Sequence, residues 1–171
     1  MDSFLRAIDR LNDVIGKILA LLIIPMILVV LYAAIMRYAF NAAVNWGFEI
    51  ALFAFGIHCI LGGGYTMLHN GHVNVDILTA RLPYKWGLVI SLLGKLTAVF
   101  VVAIILYLGI GWAYKSTLIL EHSIHGTEFN PPIWWYKWTV PLSAFLILLQ
   151  CIAQIIRDIC GLFSTTGDNG E

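Results

Sequence analysis

The sequence predicts an all-α integral membrane protein with four transmembrane helices, an N-terminal interfacial helix and both termini in the cytoplasm. Its 171 residues are 60% hydrophobic and only 12% charged, whereas a soluble domain is roughly 45–50% apolar and about 25% charged. The apolar residues are gathered into long runs, and the charged residues lie mostly near the ends of those runs. Lipid is therefore the predicted solvent, and the runs are predicted to be helical because a helix satisfies its own backbone hydrogen bonds.

Four runs are long enough to cross a bilayer, which takes about 20 residues for a hydrocarbon core of about 30 Å. We predict spans at residues 15–40, 46–69, 86–116 and 132–160, in one transmembrane domain of residues 1–163. Residues 86–95 fit either a long third span or a short interfacial helix before it. The tail at 164–171 is polar and is predicted to be disordered. The first run exceeds the roughly 7–15 residues of the hydrophobic region of a signal peptide, so we expect it to be retained.

The N-terminal segment has the pattern of an amphipathic helix. Phe4, Ile8, Leu11 and Ile15 share one predicted face, and charged residues occupy the rest. Such a helix lies in the membrane interface, so we expect this segment to lie there and to lead into the first span.

The cations divide unevenly between the two sides of the predicted topology. Those next to the termini or between the second and third spans are Arg6, Arg10, Lys17, Arg81, Lys85 and Arg157. Those on the opposite side are Arg37, Lys115 and Lys137. Because basic residues are retained on the cytoplasmic side, this distribution places both termini in the cytoplasm.

Several classes of function are disfavoured by the sequence. The formal net charge is zero, so no basic surface for nucleic acid is expected. His69 with His72 and His122 with His125 resemble short-spaced metal ligands, but they fall on opposite sides of the membrane and no metal site is predicted. His58 has no second imidazole at its depth, so we expect no haem and instead a hydrogen bond to a neighbouring helix.

Catalytic and carrier signatures are missing as well. The chain has no phosphate-binding loop, nucleophile elbow or HExxH pattern, so neither an enzyme nor a cofactor is predicted. It also lacks two carboxylates at membrane depth and the inverted repeat of a carrier. We therefore expect that the chain transports nothing without a partner.

Arg37 and Glu49 are the notable charges between the first two spans, in the stretch MRYAFNAAVNWGFE. The first two spans run in opposite directions, so both residues are expected near the outer interface. An arginine can bind a carboxylate there through two parallel hydrogen bonds. We predict a pair that locks the hairpin, with Trp46 as an interfacial anchor. The alternative for Arg37 is that its side chain simply extends toward the headgroups.

These residues also carry a family resemblance. An arginine before an aromatic residue, a short turn and then Trp46-x-x-Glu49 resemble the opening hairpin of the small membrane subunit of tripartite ATP-independent periplasmic (TRAP) transporters, the DctQ-like family. Further similar segments are Gly62-Gly63-Gly64, the stretch GHVNVDIL at 71–78, Arg81-Leu82-Pro83 and residues 133–141. The resemblance extends from about residue 31 to residue 149.

The resemblance implies a non-carrier subunit in a bacterial inner membrane. Its implied partners are a large membrane subunit, a periplasmic substrate-binding protein and membrane lipids, and the implied activity is sodium-driven uptake of an organic anion, a carboxylate or sulfonate. His72 and Asp76 would form a polar clamp or a headgroup contact on the inner side, unless they belong to an ordinary solvated loop. The alternatives are a small tetraspan channel and an anchor or haem subunit of another complex.

Overall fold

The computed structural model describes residues 2–69, 84–123 and 129–166. Its helices are α1 (Asp2–Ala39), α2 (Asn45–Leu68), α3 (Tyr84–Leu118), α4 (Trp134–Lys137) and α5 (Thr139–Thr166). Four of them include stretches long and apolar enough to span a membrane, which confirms the all-α, four-span prediction. The predicted clamp residues His72 and Asp76 lie outside the described residues.

The predicted interfacial helix forms the first turns of α1 and continues directly into the first span. Leu5 and Ile8 are buried against Ala153 of α5, whereas Phe4 is 62% exposed and Leu11 46% exposed. The predicted apolar face is thus partly exposed, as a face in the membrane interface would be, and its interfacial role stays a prediction. The face that packs on α5 includes Asn12, which is 1% exposed and which a simple division into apolar and polar positions assigns to solvent.

Helix α5 is the centre of the bundle. It packs against α1, α2 and α3, whereas α3 packs chiefly on α5 and on the short α4. We call the end formed by the start of α1, the end of α2, the start of α3 and the end of α5 the terminal end. The opposite end, which contains the α1–α2 turn and residues 119–123 and 129–133, is the loop end.

The α1–α2 turn closes the first helix at the loop end. The backbone amides of Phe40 and Ala42 both donate to the carbonyl of Met36, at 3.3 Å and 3.0 Å. Asn41 adopts a left-handed conformation with φ of 51°, which asparagine tolerates better than most residues. These bonds reverse the chain over few residues and hold the loop-end halves of α1 and α2 side by side.

Candidate functional site

The hairpin places Arg37 and Glu49 in different surroundings. Arg37 is exposed and lines a groove of about 390 Å³ between α1 and α2, together with small residues such as Ala33 and Gly47. Glu49 is 1% exposed and is not among the residues that line the groove. The ion pairs within the described ranges do not include one between Arg37 and Glu49, so their role as a lock stays a prediction.

Glu49 shares its face of α2 with residues that pack on α4. Phe53 lies one turn further along the helix, and its ring centroid is 5.0 Å from that of Tyr136 and 5.8 Å from that of Trp135. Gly56, another turn on, accommodates the Tyr136 hydroxyl, because a Cβ at Gly56 would lie 1.6 Å from it. Residues spaced by three or four share a helix face. Glu49 is therefore the first residue of the α2 face that is directed toward the last span.

Trp46 lies at the start of α2 and stacks on Tyr32 of α1. The two ring centroids are 5.9 Å apart with an interplanar angle of 28°, and Trp46 stays 39% exposed. An aromatic side chain with one apolar side packed and the other exposed suits the membrane interface. The position is compatible with the predicted anchor, and the anchoring role remains a prediction.

The long connection after α3 is fastened to the start of the last span. Lys137 is 8% exposed, forms an ion pair with Glu121 and has its Nζ 4.4 Å from the centroid of the Trp112 ring. The hydrogen bond from Lys137 holds the pKa of the Glu121 carboxyl below its ordinary value. The backbone amide of Ile133 donates to the Glu121 carbonyl at 2.8 Å. Residues on both sides of the connection are therefore held together at the loop end.

A second polar cluster lies at the terminal end, where α1 meets α5. Asn12 Nδ2 donates to Gln150 Oε1 at 2.8 Å, and Gln150 Nε2 donates to Asp9 Oδ1 at 2.9 Å. Arg157 forms an ion pair with the same Asp9. Asn12 and Gln150 are buried, with exposures of 1% and 0%. We call these four residues the α1–α5 lock, because they join two helices that are far apart in the chain.

Further polar contacts attach α2 and α3 to the same central helix. Gln154 Nε2 donates to the Met67 carbonyl at 2.6 Å, and Ser143 donates to the Ile60 carbonyl. Lys95 of α3 forms an ion pair with Asp158. Buried polar groups in a membrane protein need such partners because lipid supplies none. Each long helix is thus tied to α5 by side-chain bonds as well as by apolar packing.

The histidine within the second span is bonded as the sequence predicts. Nδ1 of His58 lies 3.0 Å from the Leu19 carbonyl of α1, so this nitrogen carries the hydrogen when it donates to that oxygen. His58 therefore acts as a bridge between α1 and α2 near the middle of the bundle.

Sequence reasoning missed the α1–α5 lock, although its residues carry a signal. Gln150 and Arg157 are seven positions apart in the last apolar run, and Asp9 precedes Asn12 by three. Polar residues at these spacings share one helix face. Two such faces in different spans indicate a polar seam between helices, whereas each polar residue alone is easily assigned to the membrane surface.

The fold and its polar contacts define a class: a multi-pass α-helical membrane protein whose buried polar groups fasten helix to helix. Residues 26–161 match the family described as "Tripartite ATP-independent periplasmic transporters, DctQ component". The chain belongs to this family, which confirms the resemblance drawn from the hairpin. The family is one of transporter subunits.

One similar protein is the "C4-dicarboxylate TRAP transporter small permease protein DctQ" of Vibrio cholerae serotype O1 (strain ATCC 39315 / El Tor Inaba N16961). It is 28% identical to this chain over an alignment of 136 residues, and the alignment covers 75% of this chain and 55% of that relative. The matched part of the chain thus spans about half the length of that relative.

Proposed function

We propose that this chain is the small, non-carrier membrane subunit of a TRAP-type secondary transporter. In this proposal it scaffolds a large transport subunit for sodium-driven uptake of an organic anion, a carboxylate or sulfonate, that a periplasmic binding protein delivers. Family membership supports the subunit assignment. The relative in Vibrio cholerae is named for C4-dicarboxylate transport, and such a cargo belongs to the proposed class of carboxylates.

The observation that carries the scaffold role is the fastening of every long helix to α5. Asn12, Met67 and Lys95 mark the points where α1, α2 and α3 are bonded to the last span. A carrier that moves its own cargo needs helices that can adopt two arrangements relative to one another. Bonds between helices at one end of a bundle favour a single arrangement. A rigid block of this kind suits a static wall against which a mobile subunit moves.

The proposed structural and interface residues belong to two sets. Arg37, Trp46 and Glu49 form the outer set at the hairpin, and His72 and Asp76 form the inner set. We propose that Arg37 and Glu49 lock the hairpin, that Trp46 anchors it at the membrane interface, and that His72 and Asp76 form a polar clamp or a headgroup contact. The exposure of Arg37 and Trp46 at the loop end supports the outer assignment. We place the protein in the bacterial inner membrane with both termini in the cytoplasm.

Reconstitution with defined components tests the proposal. The large membrane subunit and the secreted binding protein, which we expect to be encoded beside this chain, are purified and combined with it in liposomes under a sodium gradient. Uptake of a labelled dicarboxylate or sulfonate is expected only when all three proteins are present, and it should disappear when the gradient is collapsed. Uptake by this chain alone, or undiminished uptake without it, would refute the scaffold role.

A further inference from the structure

Helix α3 is the edge of the bundle and presents one long apolar stripe. The stripe consists of Leu93, Phe100, Tyr107 and Tyr114, which are 58%, 67%, 79% and 57% exposed. Their seven-residue spacing keeps them on one face, with a drift of only about 20° per step. The opposite face of α3 includes Gly109 and Ala113, of which Gly109 faces Val140 and Pro141 of α5.

Tyr107 lies deep within the span. Lys95 and Lys115 flank it on the same helix and are separated by about 30 Å along the axis, the thickness of the hydrocarbon core. Tyr107 is about 18 Å from the level of Lys95 and about 12 Å from that of Lys115. Tyrosine is enriched at the membrane interface, where its hydroxyl reaches water or headgroups. The depth expected for Tyr107 is different, and because its side chain is 79% exposed, we expect its hydroxyl to meet the hydrocarbon when no partner covers it.

Other polar side chains at comparable depth have partners inside the bundle. His58 bonds to the Leu19 carbonyl, and Ser143 bonds to the Ile60 carbonyl. Within the described residues, none of the hydrogen bonds involves the Tyr107 hydroxyl. A hydroxyl left without a partner in hydrocarbon is costly. The Tyr107 hydroxyl is therefore poorly suited to lipid tails, which offer no hydrogen-bond acceptor.

We infer that the α3 stripe is the docking surface for a transmembrane helix of the large subunit, and that the Tyr107 hydroxyl donates a hydrogen bond to an acceptor on that helix. This inference rests on the proposed function, which supplies the partner. A membrane-embedded helix satisfies both features of the stripe, because it buries the large apolar side chains and offers a carbonyl or polar side chain at mid-depth. The tie of α3 to α5 through Lys95 and Asp158 would hold the stripe in place.

Photocross-linking locates the partner. Phe100 and Tyr107 are replaced singly by p-benzoylphenylalanine in the full chain, which is co-expressed with the large subunit and irradiated in membranes. Ile24 and Leu28 of α1, which are 57% and 59% exposed, receive the same replacement as matched controls. Cross-links to the large subunit are expected from the two α3 positions and to be at least several-fold weaker from the α1 positions.

A conservative substitution tests the hydrogen bond. Tyr107→Phe removes only the hydroxyl and should weaken retention of the large subunit about three- to fifteenfold in the association constant, the range for hydrogen bonds between membrane helices. Tyr38→Phe, which removes a hydroxyl from an 85% exposed tyrosine of α1 outside the stripe, should leave retention unchanged. The melting temperature of the isolated subunit should be the same for both variants, since the hydroxyl has no described role inside the bundle. Unchanged retention in Tyr107→Phe would overturn the inference.

The outcomes separate this inference from the proposed function. If the two subunits co-purify but cross-links arise from α1 rather than α3, the docking surface is wrong while the subunit assignment stands. Cross-links to a second copy of this chain, or to lipid only, would also overturn it. Failure of the unmodified chain to co-purify with the large subunit would instead refute the proposed function itself.

Discussion

At the scale of single residues, the pair of Glu121 and Lys137 makes the loop end sensitive to acid. Lys137 lowers the pKa of Glu121 from its ordinary value of 4.5, so the folded state favours the ionised carboxylate. The pair therefore contributes its full stability above about pH 4.5, and that contribution is lost as the pH falls through the lowered folded value. We expect tryptophan fluorescence of the loop end to change reversibly within this acidic window.

Two variants test whether Glu121 causes this change in tryptophan fluorescence. Glu121→Gln should abolish the acid-dependent step and show a looser loop end already at neutral pH. Lys115→Gln removes an exposed charge from the same end without touching the pair, and it should keep the step. An acid transition that is identical in the protein and in Glu121→Gln would show that another group causes it.

The glycines of α2 offer a second prediction at this scale, because two near neighbours differ in their surroundings. A Cβ at Gly64 would lie 2.3 Å from Asn12 Oδ1 and 3.4 Å from Leu146 Cβ, whereas one at Gly62 would meet nothing within 4 Å. Asn12 is held by Gln150 and has little freedom to retreat. Gly64→Ala should therefore destabilise the protein by about 1–3 kcal/mol.

Gly62→Ala is the control, since it adds the same methyl group to the same helix. It should be neutral or stabilising by up to about 1 kcal/mol, because alanine favours helices more than glycine does. Thermal unfolding in detergent, followed by the loss of monodisperse protein, compares the two. Equal shifts for both variants would contradict the close approach of α1 and α2 at Gly64.

At the scale of helices, the α1–α5 lock is predicted to couple its two buried amides. Removal of one partner leaves a buried polar group unsatisfied, which costs about 1–3 kcal/mol, whereas removal of both costs less than the sum. A double-mutant cycle of Asn12→Ala and Gln150→Ala should give a coupling energy of about 0.5–3 kcal/mol in thermal unfolding.

The cycle has an internal comparison on another helix. Thr97 donates to the Leu93 carbonyl of its own helix at 2.9 Å, so Thr97→Val removes a polar group without breaking a bond between helices. Its effect on stability should be small and additive with either amide variant. Strict additivity of Asn12→Ala and Gln150→Ala would show that the bond between these two amides does not contribute to joining α1 to α5.

The existence of the four long helices was predictable, because length and apolarity decide that question residue by residue. The orientation of α1 was not, since Asn12 is polar by type and becomes buried only when Gln150 is opposite it. The same limit applies at the hairpin, where the sequence places Arg37 and Glu49 at similar depths but does not fix the face of α2 that Glu49 occupies. Contacts between distant helices depend on rotations about each axis, and these are set by partners remote in sequence.

At the scale of the whole molecule, the helix faces that bond to α5 are distinct from the faces that remain exposed. The central helix α5 bonds to α1, α2 and α3 through side chains, and α3 remains at an edge with large apolar side chains outward. The described ion pairs lie near the two ends of the bundle, as expected where water and headgroups reduce the cost of charge. The middle of the bundle is joined instead by neutral contacts such as that of His58 with Leu19.

The distribution of cations predicts which end faces the cytoplasm. Arg6, Arg10 and Arg157 belong to the terminal end, while Arg37 and Lys115 belong to the loop end. Acidic residues weigh little in this rule, so the pairing of Arg157 with Asp9 does not alter the prediction. Fluorescent protein fused to the C-terminus of the full chain should therefore fold and fluoresce in the cytoplasm. Alkaline phosphatase fused after Ser123 should be active, because that position belongs to the loop end on the periplasmic side. A dark C-terminal fusion together with an inactive phosphatase would reverse the topology, and the loop end would then be excluded as the side that meets a periplasmic binding protein.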